Sequence, residues 1–257
     1  MISSLSILGM AASATVAIGL PIALFLGLRN RLGLEAMPML LGGVGFILAV
    51  ALEQMFHLMM LHNGAFELRA IPVLFVLYLP FAAGLFEETA RFTIFHLIKT
   101  RYPAPGTGVS YGIGHGGIES ILLVGLTMIA NLIVALSINA GNTGVLRTLP
   151  DYASQLAATA PVIFLVGGLE RVSAICLQIA LSVLVWTAVN RNGRLWLYPA
   201  SIGLHAGVDL APSMFQAGMI SSLAAVEGIT LVWAVAVGTV AAVTYRRNVL
   251  AGMAIGG

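Results

Sequence analysis

Apolar residues in this chain run in long stretches broken by short polar intervals. Several stretches approach or exceed the ~20 residues that cross a bilayer as a helix. The pattern predicts seven spans, at about residues 5–28, 37–61, 70–99, 111–138, 160–190, 196–220 and 222–245. The fold class is therefore all-α: a polytopic membrane helix bundle of about seven transmembrane helices, forming one transmembrane domain over residues 1–257. The third span is too long for an upright helix, so Pro80 is expected to kink it or divide it into two shorter segments. Connecting loops are short, the longest at about residues 139–159. The first run carries an Ala-Ser-Ala at residues 12–14 that resembles a signal-peptide cleavage site, but no basic residues precede it and Arg29 and Arg31 follow it. It reads as the first membrane helix.

Composition removes the soluble alternative. Hydrophobic residues make up 59% and charged residues only 9%, too few charges to cover the surface of a soluble protein of this size. A net charge of +2 without any basic block gives no footprint for nucleic acid; the partners to expect are the lipid bilayer and a membrane protein or peptide. Cys176 is the single cysteine, so no intrachain disulfide can form.

The basic residues set an orientation. Arg29, Arg31, Lys99, Arg101, Arg191, Arg194, Arg246 and Arg247 fall in alternate loops, and the opposite loops hold Arg69 and Arg147, eight against two. The positive-inside bias puts the N-terminus outside and the C-terminus in the cytoplasm, consistent with seven spans in the cell membrane.

Charge inside the spans changes the picture again. An ionisable group at the bilayer centre costs roughly 2.5–3.5 kcal/mol. Yet Glu53, Glu87, Glu88, Arg91, Glu119, Glu170, Arg171 and Asp209 all lie within spans, joined by His57, His96, His115 and His205. Such groups must pair, line a wet cavity or do chemistry. Three clusters share a spacing: Glu87 and Arg91 (with Glu88 three residues from the same arginine), His115 and Glu119, and His205 and Asp209 each stand four apart, on one helix face. Counted from the basic-loop end at about 1.5 Å per residue, Glu87 lies ~18 Å deep, Glu119 ~12 Å and His205 ~14 Å. Glycines at 112, 114, 116 and 117 surround His115, and Gly203 and Gly207 flank His205, permitting close helix approach or access to the imidazoles.

At "GLFEETAR", "YGIGHGGIE" and "HAGVD" the sequence resembles the YhfC family of intramembrane metalloproteases, which is similar to PrsW and more distantly to the CAAX prenyl endopeptidase (CPBP) group. Glu87, Glu88 and Arg91 match the family's paired-glutamate motif, His115 and Glu119 its middle motif, and His205 and Asp209 its final motif. The resemblance covers about residues 80–245 and implies intramembrane proteolysis. It also implies a histidine near Gln178 in the helix carrying "GGLERVSAICLQIALSV", where this chain departs from the pattern.

The catalytic candidates are thus Glu87, Glu88, Arg91, His115, Glu119, His205 and Asp209. One of the paired carboxylates would act as general base with Arg91 orienting the other; His115 and Glu119 would hold the attacking water; His205 would stabilise the developing oxyanion. A zinc ion held by His115, His205 and Glu119 would suit an open catalytic site, and a metal-free carboxylate mechanism is equally open. Glu170, Arg171 and Gln178 are expected to support these groups from behind. Adjacent in sequence, Glu170 and Arg171 should face different ways, while Arg171, Gln178 and Ser182 share a face. Glu53 and His57 stand four apart at a different depth and read as a structural pair, and His96 reads as an interfacial group. Bland alternatives accompany each cluster: ion pairs that only hold helices together, a proton- or cation-coupled transporter, or a non-catalytic binding protein of the same fold.

Overall fold

The computed structural model describes residues 1–62 and 71–253. Arg69 and the expected start of the third span at residue 70 lie outside the described residues. Among those residues the chain is helical throughout: α1 (Ser4–Leu32), α2 (Ala36–His62), α3 (Pro72–Ile98), α4 (Gly106–Ser120), α5 (Leu126–Asn139), α6 (Thr143–Thr148), α7 (Pro150–Ala158), α8 (Pro161–Asn190), α9 (Leu197–Gln216) and α10 (Leu223–Met253). A π-helical turn, Ile121–Gly125, joins α4 to α5, so the two form one 34-residue rod.

Among the described residues, six elements are long and apolar enough to cross a membrane: α1, α2, α3, the α4–α5 rod, α8 and α10. The remaining expected span is α9. Its 20 residues reach about 30 Å, but it is the more polar element because it carries His205, Asp209, Pro199, Pro212 and two serines. The protein is an integral membrane helix bundle.

Two sequence expectations need correction and a third is narrowed. Of the two outcomes open at Pro80, division is ruled out, since α3 runs through it as one helix. α4 begins at Gly106 rather than about 111, because the weakly hydrophobic stretch Gly106-Thr-Gly-Val-Ser110 is helical and buried. The 139–159 connection is not bare loop. Pro150 at the first position and Asp151 in the first turn start α7, whose Leu156 packs with Ile2, Met10, Ala135 and Phe164.

α8 is the centre of the bundle. Of its most apolar window 67% is buried, against 22–33% in the other five spans. It packs against α1, α3, α4, α9 and α10. On its inner end Leu177, Leu181 and Leu184 meet Ile113 of α4 and Val208 of α9 in the main core cluster. The outward faces of the other spans carry exposed leucine, isoleucine and valine, the surface that lipid tails cover.

Two glycines set the α2–α4 contact, the most extensive helix–helix contact among the described residues. A Cβ at Gly114 would run into the carbonyl oxygen of Met39, and one at Gly42 into the carbonyl oxygen of Tyr111. Backbone collisions cannot be relieved by turning a side chain, so the helices would have to separate. Gly114→Ala is expected to cost about 1–3 kcal/mol, read as a lower melting temperature in detergent. Gly203→Ala, which meets open space, should leave stability unchanged or slightly raised. Equal behaviour of the two variants would contradict the close-approach account.

Candidate active site

The polar clusters meet in the interior; of the three pairs that the four-residue spacing suggests, His205 and Asp209 lie together, while Arg91 and Glu119 take other partners. On α3, Arg91 ties to Glu88, three residues back: its Nη1 donates to both carboxylate oxygens at 2.6 Å. Glu88 and Arg91 are completely buried. A charged pair without water around it needs every lone pair used, and Glu88 meets that need by also taking a hydrogen bond from His205 Nδ1 of α9, 2.8 Å from Oε1. An ionised carboxylate only accepts, so this contact fixes Nδ1 as the donor and turns Nε2 the other way. There Nε2 lies 3.4 Å from Asp209 Oδ2 and 3.8 Å from Glu87 Oε2.

Glu87 turns to the opposite partners. Its Oε2 lies 2.8 Å from His115 Nε2 of α4 and accepts from Gln178 Nε2 of α8 at 3.0 Å. His115 is fully buried, its ring edge-on to Phe46 of α2 at 5.3 Å between centroids. The expected His115–Glu119 partnership gives way to separate ones. Glu119 accepts from Arg171 Nη1 at 3.0 Å and from Gln178 Nε2 at 2.8 Å. Four residues of α helix align the two side chains along one face, but α8 lies against that face and supplies Glu119 with a charged donor, Arg171, and an amide donor, Gln178.

Gln178 is the hub. Its Oε1 accepts from Arg91 Nη2 at 2.5 Å while its Nε2 donates to Glu87 and Glu119. The arginine fixes which end of the amide is which, since only the oxygen can accept. Gly116 makes room for this: a Cβ there would stand 2.9 Å from Gln178 Cβ. Arg171, seven residues or about two turns earlier on α8, reaches back to Glu170 with Nη2 at 2.5 Å. The two were expected to face apart; the length of the arginine side chain closes the gap.

These groups border a cavity of about 330 Å³. Glu87, Glu119, His205, Asp209, Glu170, Arg171 and Gln178 line it, together with Glu53 of α2 and apolar walls from Phe46, Val50, Leu177 and Val208. Glu88, Arg91 and His115 do not; they stand behind the lining. The paired glutamates are thereby sorted by exposure: Glu88 is wholly enclosed, and Glu87 reaches the cavity. Among the described residues no hydrogen bond is made to Glu87 Oε1.

The sequence placed Glu53 and His57 apart from the site as a structural pair. They do bond, His57 Nε2 to Glu53 Oε1 at 3.1 Å, with His57 Nδ1 2.8 Å from Tyr78 Oη. Glu53 nevertheless lines the cavity. A second cavity of about 310 Å³ shares Glu53, Asp209 and Pro212 with the first and continues past His57 to Ser213 and Gln216. Depth counted along a single helix hid this, because α2 runs past the site and its polar pair sits one step beyond it. His96 is exposed, and among the described residues it bonds only to its own helix, at Phe92 O.

Donor types here suit a divalent cation, but their placement does not. Among the described residues no three His, Cys, Asp or Glu side chains stand together as a metal cage. The expected set of His115, His205 and Glu119 is divided: His115 Nε2 engages Glu87, His205 Nδ1 engages Glu88, and Glu119 is held by Arg171 and Gln178. The amide NH₂ of Gln178 donates between Glu87 and Glu119, where a cation bridging the two carboxylates would need to sit.

A model of the family described as YhfC intramembrane metalloprotease matches residues 16–230, which contain every residue of this site. The chain is also similar to the Bacillus subtilis (strain 168) protein named "Uncharacterized membrane protein YhfC". The two are 34% identical over 238 residues, covering 88% of this chain and 92% of that one.

Proposed function

Because the chain belongs to the YhfC intramembrane metalloprotease family, we propose that its interior cavity hydrolyses a peptide bond of a membrane-embedded or membrane-adjacent polypeptide, with Glu87 activating the water. The observation that carries this reading is the unequal treatment of the two adjacent glutamates. Glu88 has its oxygens taken up by Arg91 and His205, whereas Glu87 is anchored through Oε2 alone and borders the cavity. A general base needs that combination of fixed orientation and one acceptor atom facing the reactant.

In the proposed reaction, a water in the cavity gives a proton to Glu87 Oε1 while its oxygen attacks the scissile carbonyl carbon. Negative charge then develops on the carbonyl oxygen. His205, when protonated, presents Nε2–H to that charge, its ring held by the Glu88 contact at Nδ1. Collapse of the tetrahedral intermediate breaks the C–N bond, and the proton held by Glu87 passes to the leaving amine. His115 and Gln178 are positioning residues for Glu87; Glu88 and Arg91 position His205; Arg171 and Gln178 hold Glu119 at the cavity wall. The family description carries a metal, and zinc is the ion that two histidines and a carboxylate would suit. The side chains as placed do not make that cage, so every step above belongs to the protein's own groups.

Hydrolysis also needs a supply of water, and the second cavity supports one. From Asp209 it leads past Glu53 and His57 to Gln216, toward the end of the bundle opposite the basic loops. With Cys176 replaced by serine, cysteines placed at Ala83 and Gln216 should react with a membrane-impermeant thiol reagent added from the side opposite the basic loops. Reporters fused after Arg31, Arg101, Arg194 and Arg247 should all read cytoplasm. Labelling from the cytoplasmic side, or a reporter on the other side, would overturn this orientation.

The reading as a whole is tested in sealed vesicles containing the purified protein, assayed in parallel for cleavage of co-reconstituted single-span membrane peptides and for proton or cation flux. Cleavage without flux is the expected result. Flux that depends on Glu87, with no cleavage, would replace the hydrolase with a transporter.

A further inference from the structure

A separate cleft of about 340 Å³ opens at the basic-loop end of the bundle, between the α8–α9 turn and α10. Arg194 and Trp196 come from the turn, and Arg247 and Asn248 from α10; Thr239, Val240 and Val243 form its deeper wall. From these residues we propose that the cleft binds one anionic phospholipid, its phosphate diester between Arg194 and Arg247 and an acyl chain along Val243 and Val240.

Three features single out this ligand. First, the cleft is polar at one end and apolar at the other. Arg247 and Val240 are seven residues apart on one helix, so the change takes place over about 10 Å along the membrane normal. A soluble anion would use only the outer end, whereas a phospholipid spans both. Second, the two guanidiniums are available. Arg194 and Arg247 are exposed and make no ion pair or side-chain hydrogen bond among the described residues. Neighbouring Arg191, by contrast, is spent on Asn248 O at 2.8 Å. Guanidinium forks suit phosphate oxygens. Third, the cleft has a built floor. Asn248 is pinned through Nδ2 to the buried Thr187 at 2.7 Å, and Trp196, 57% exposed, stands where an indole ring favours the headgroup level.

This site shares no lining residue with the interior cavity, so its fate is independent of the hydrolase reading. The test is native mass spectrometry of the intact 257-residue chain released from detergent, titrated separately with phosphatidylglycerol, with phosphatidylcholine of the same chains, and with inorganic phosphate. One phosphatidylglycerol should be retained, phosphatidylcholine should bind at least about tenfold more weakly, and phosphate should not compete. At about 1 kcal/mol per basic residue, the Arg194→Gln/Arg247→Gln protein should lose about tenfold or more. Both arginines are exposed, so its melting temperature without lipid should match the parent. Val243→Trp, which fills the apolar arm and leaves the charge alone, should also weaken retention, while Arg101→Gln outside the cleft should not. Unchanged retention in the double variant, or equal retention of the two lipids, would overturn the proposal. Displacement by phosphate at similar concentration would reassign the cleft to a free anion.

Discussion

Glu87→Gln should fold and insert like the parent protein and lose about two to four orders of magnitude in cleavage, the range associated with a general base. The amide preserves the size of the side chain, and its oxygen can still accept from Gln178 Nε2 and His115 Nε2. What disappears is the ability to take a proton from water. The expectation is specific to this carboxylate. Glu119→Gln keeps volume too, and Glu119 is bonded to Arg171 and Gln178 rather than left with a free oxygen toward the reactants, so its loss should act mainly by loosening Arg171. Cleavage rates of the two variants, each normalised to monodisperse protein in detergent, check the ranking. Near-parental cleavage by Glu87→Gln would contradict it.

Arg91→Met should produce the largest loss of stability of any single change in the site, about 3–5 kcal/mol. Glu88 and Arg91 are both completely buried, and the guanidinium supplies two of the three contacts to the carboxylate. Removing it leaves a charge in the interior with His205 as its remaining partner, and also strips the donor that orients Gln178. Adding Glu88→Gln to Arg91→Met should recover a large part of the loss, since the uncompensated charge is then gone. That recovery is the coupling a double-mutant cycle measures by reversible unfolding in mixed micelles. A penalty in Arg91→Met no larger than in Asp209→Asn would show that the ion pair is not buried as described, because the Asp209 side chain is 38% exposed.

Much of this architecture was legible beforehand because bilayer thickness dictates the length of an apolar run. Spans at residues 5–28 and 160–190 fall almost on α1 and α8 for that reason. The ends were less legible where polarity and helicity disagree. Gly106–Ser110 lacks a hydrophobic signal yet is helical, because its small residues let α4 settle against α1 and α8. The cost of intramembrane charge singled out residues that the fold gathers around one cavity, and spacing placed His205 and Asp209 side by side. Spacing could not reveal cross-helix choices. Which carboxylate Arg91 takes, or where Glu119 turns, depends on what α8 and α9 bring alongside. Gln178 shows the limit most clearly: the sequence set it behind the site as a support, but an uncharged residue carries no charge cost, and its role as hub exists only through the two helices, α3 and α4, that bring partners to it.

The central claim is that a water activated at Glu87 ends up in a cleaved peptide bond, and isotope incorporation tests it most directly. Membranes from cells expressing the wild-type chain, the Glu87→Gln chain or neither would be incubated in H₂¹⁸O, and their proteins analysed for new termini by mass spectrometry. The account predicts new C-terminal carboxylates in the wild-type sample, each carrying one ¹⁸O from solvent, and their absence from the other two. The same ¹⁸O-labelled termini in the Glu87→Gln sample, or none that depend on the wild-type chain, would contradict it.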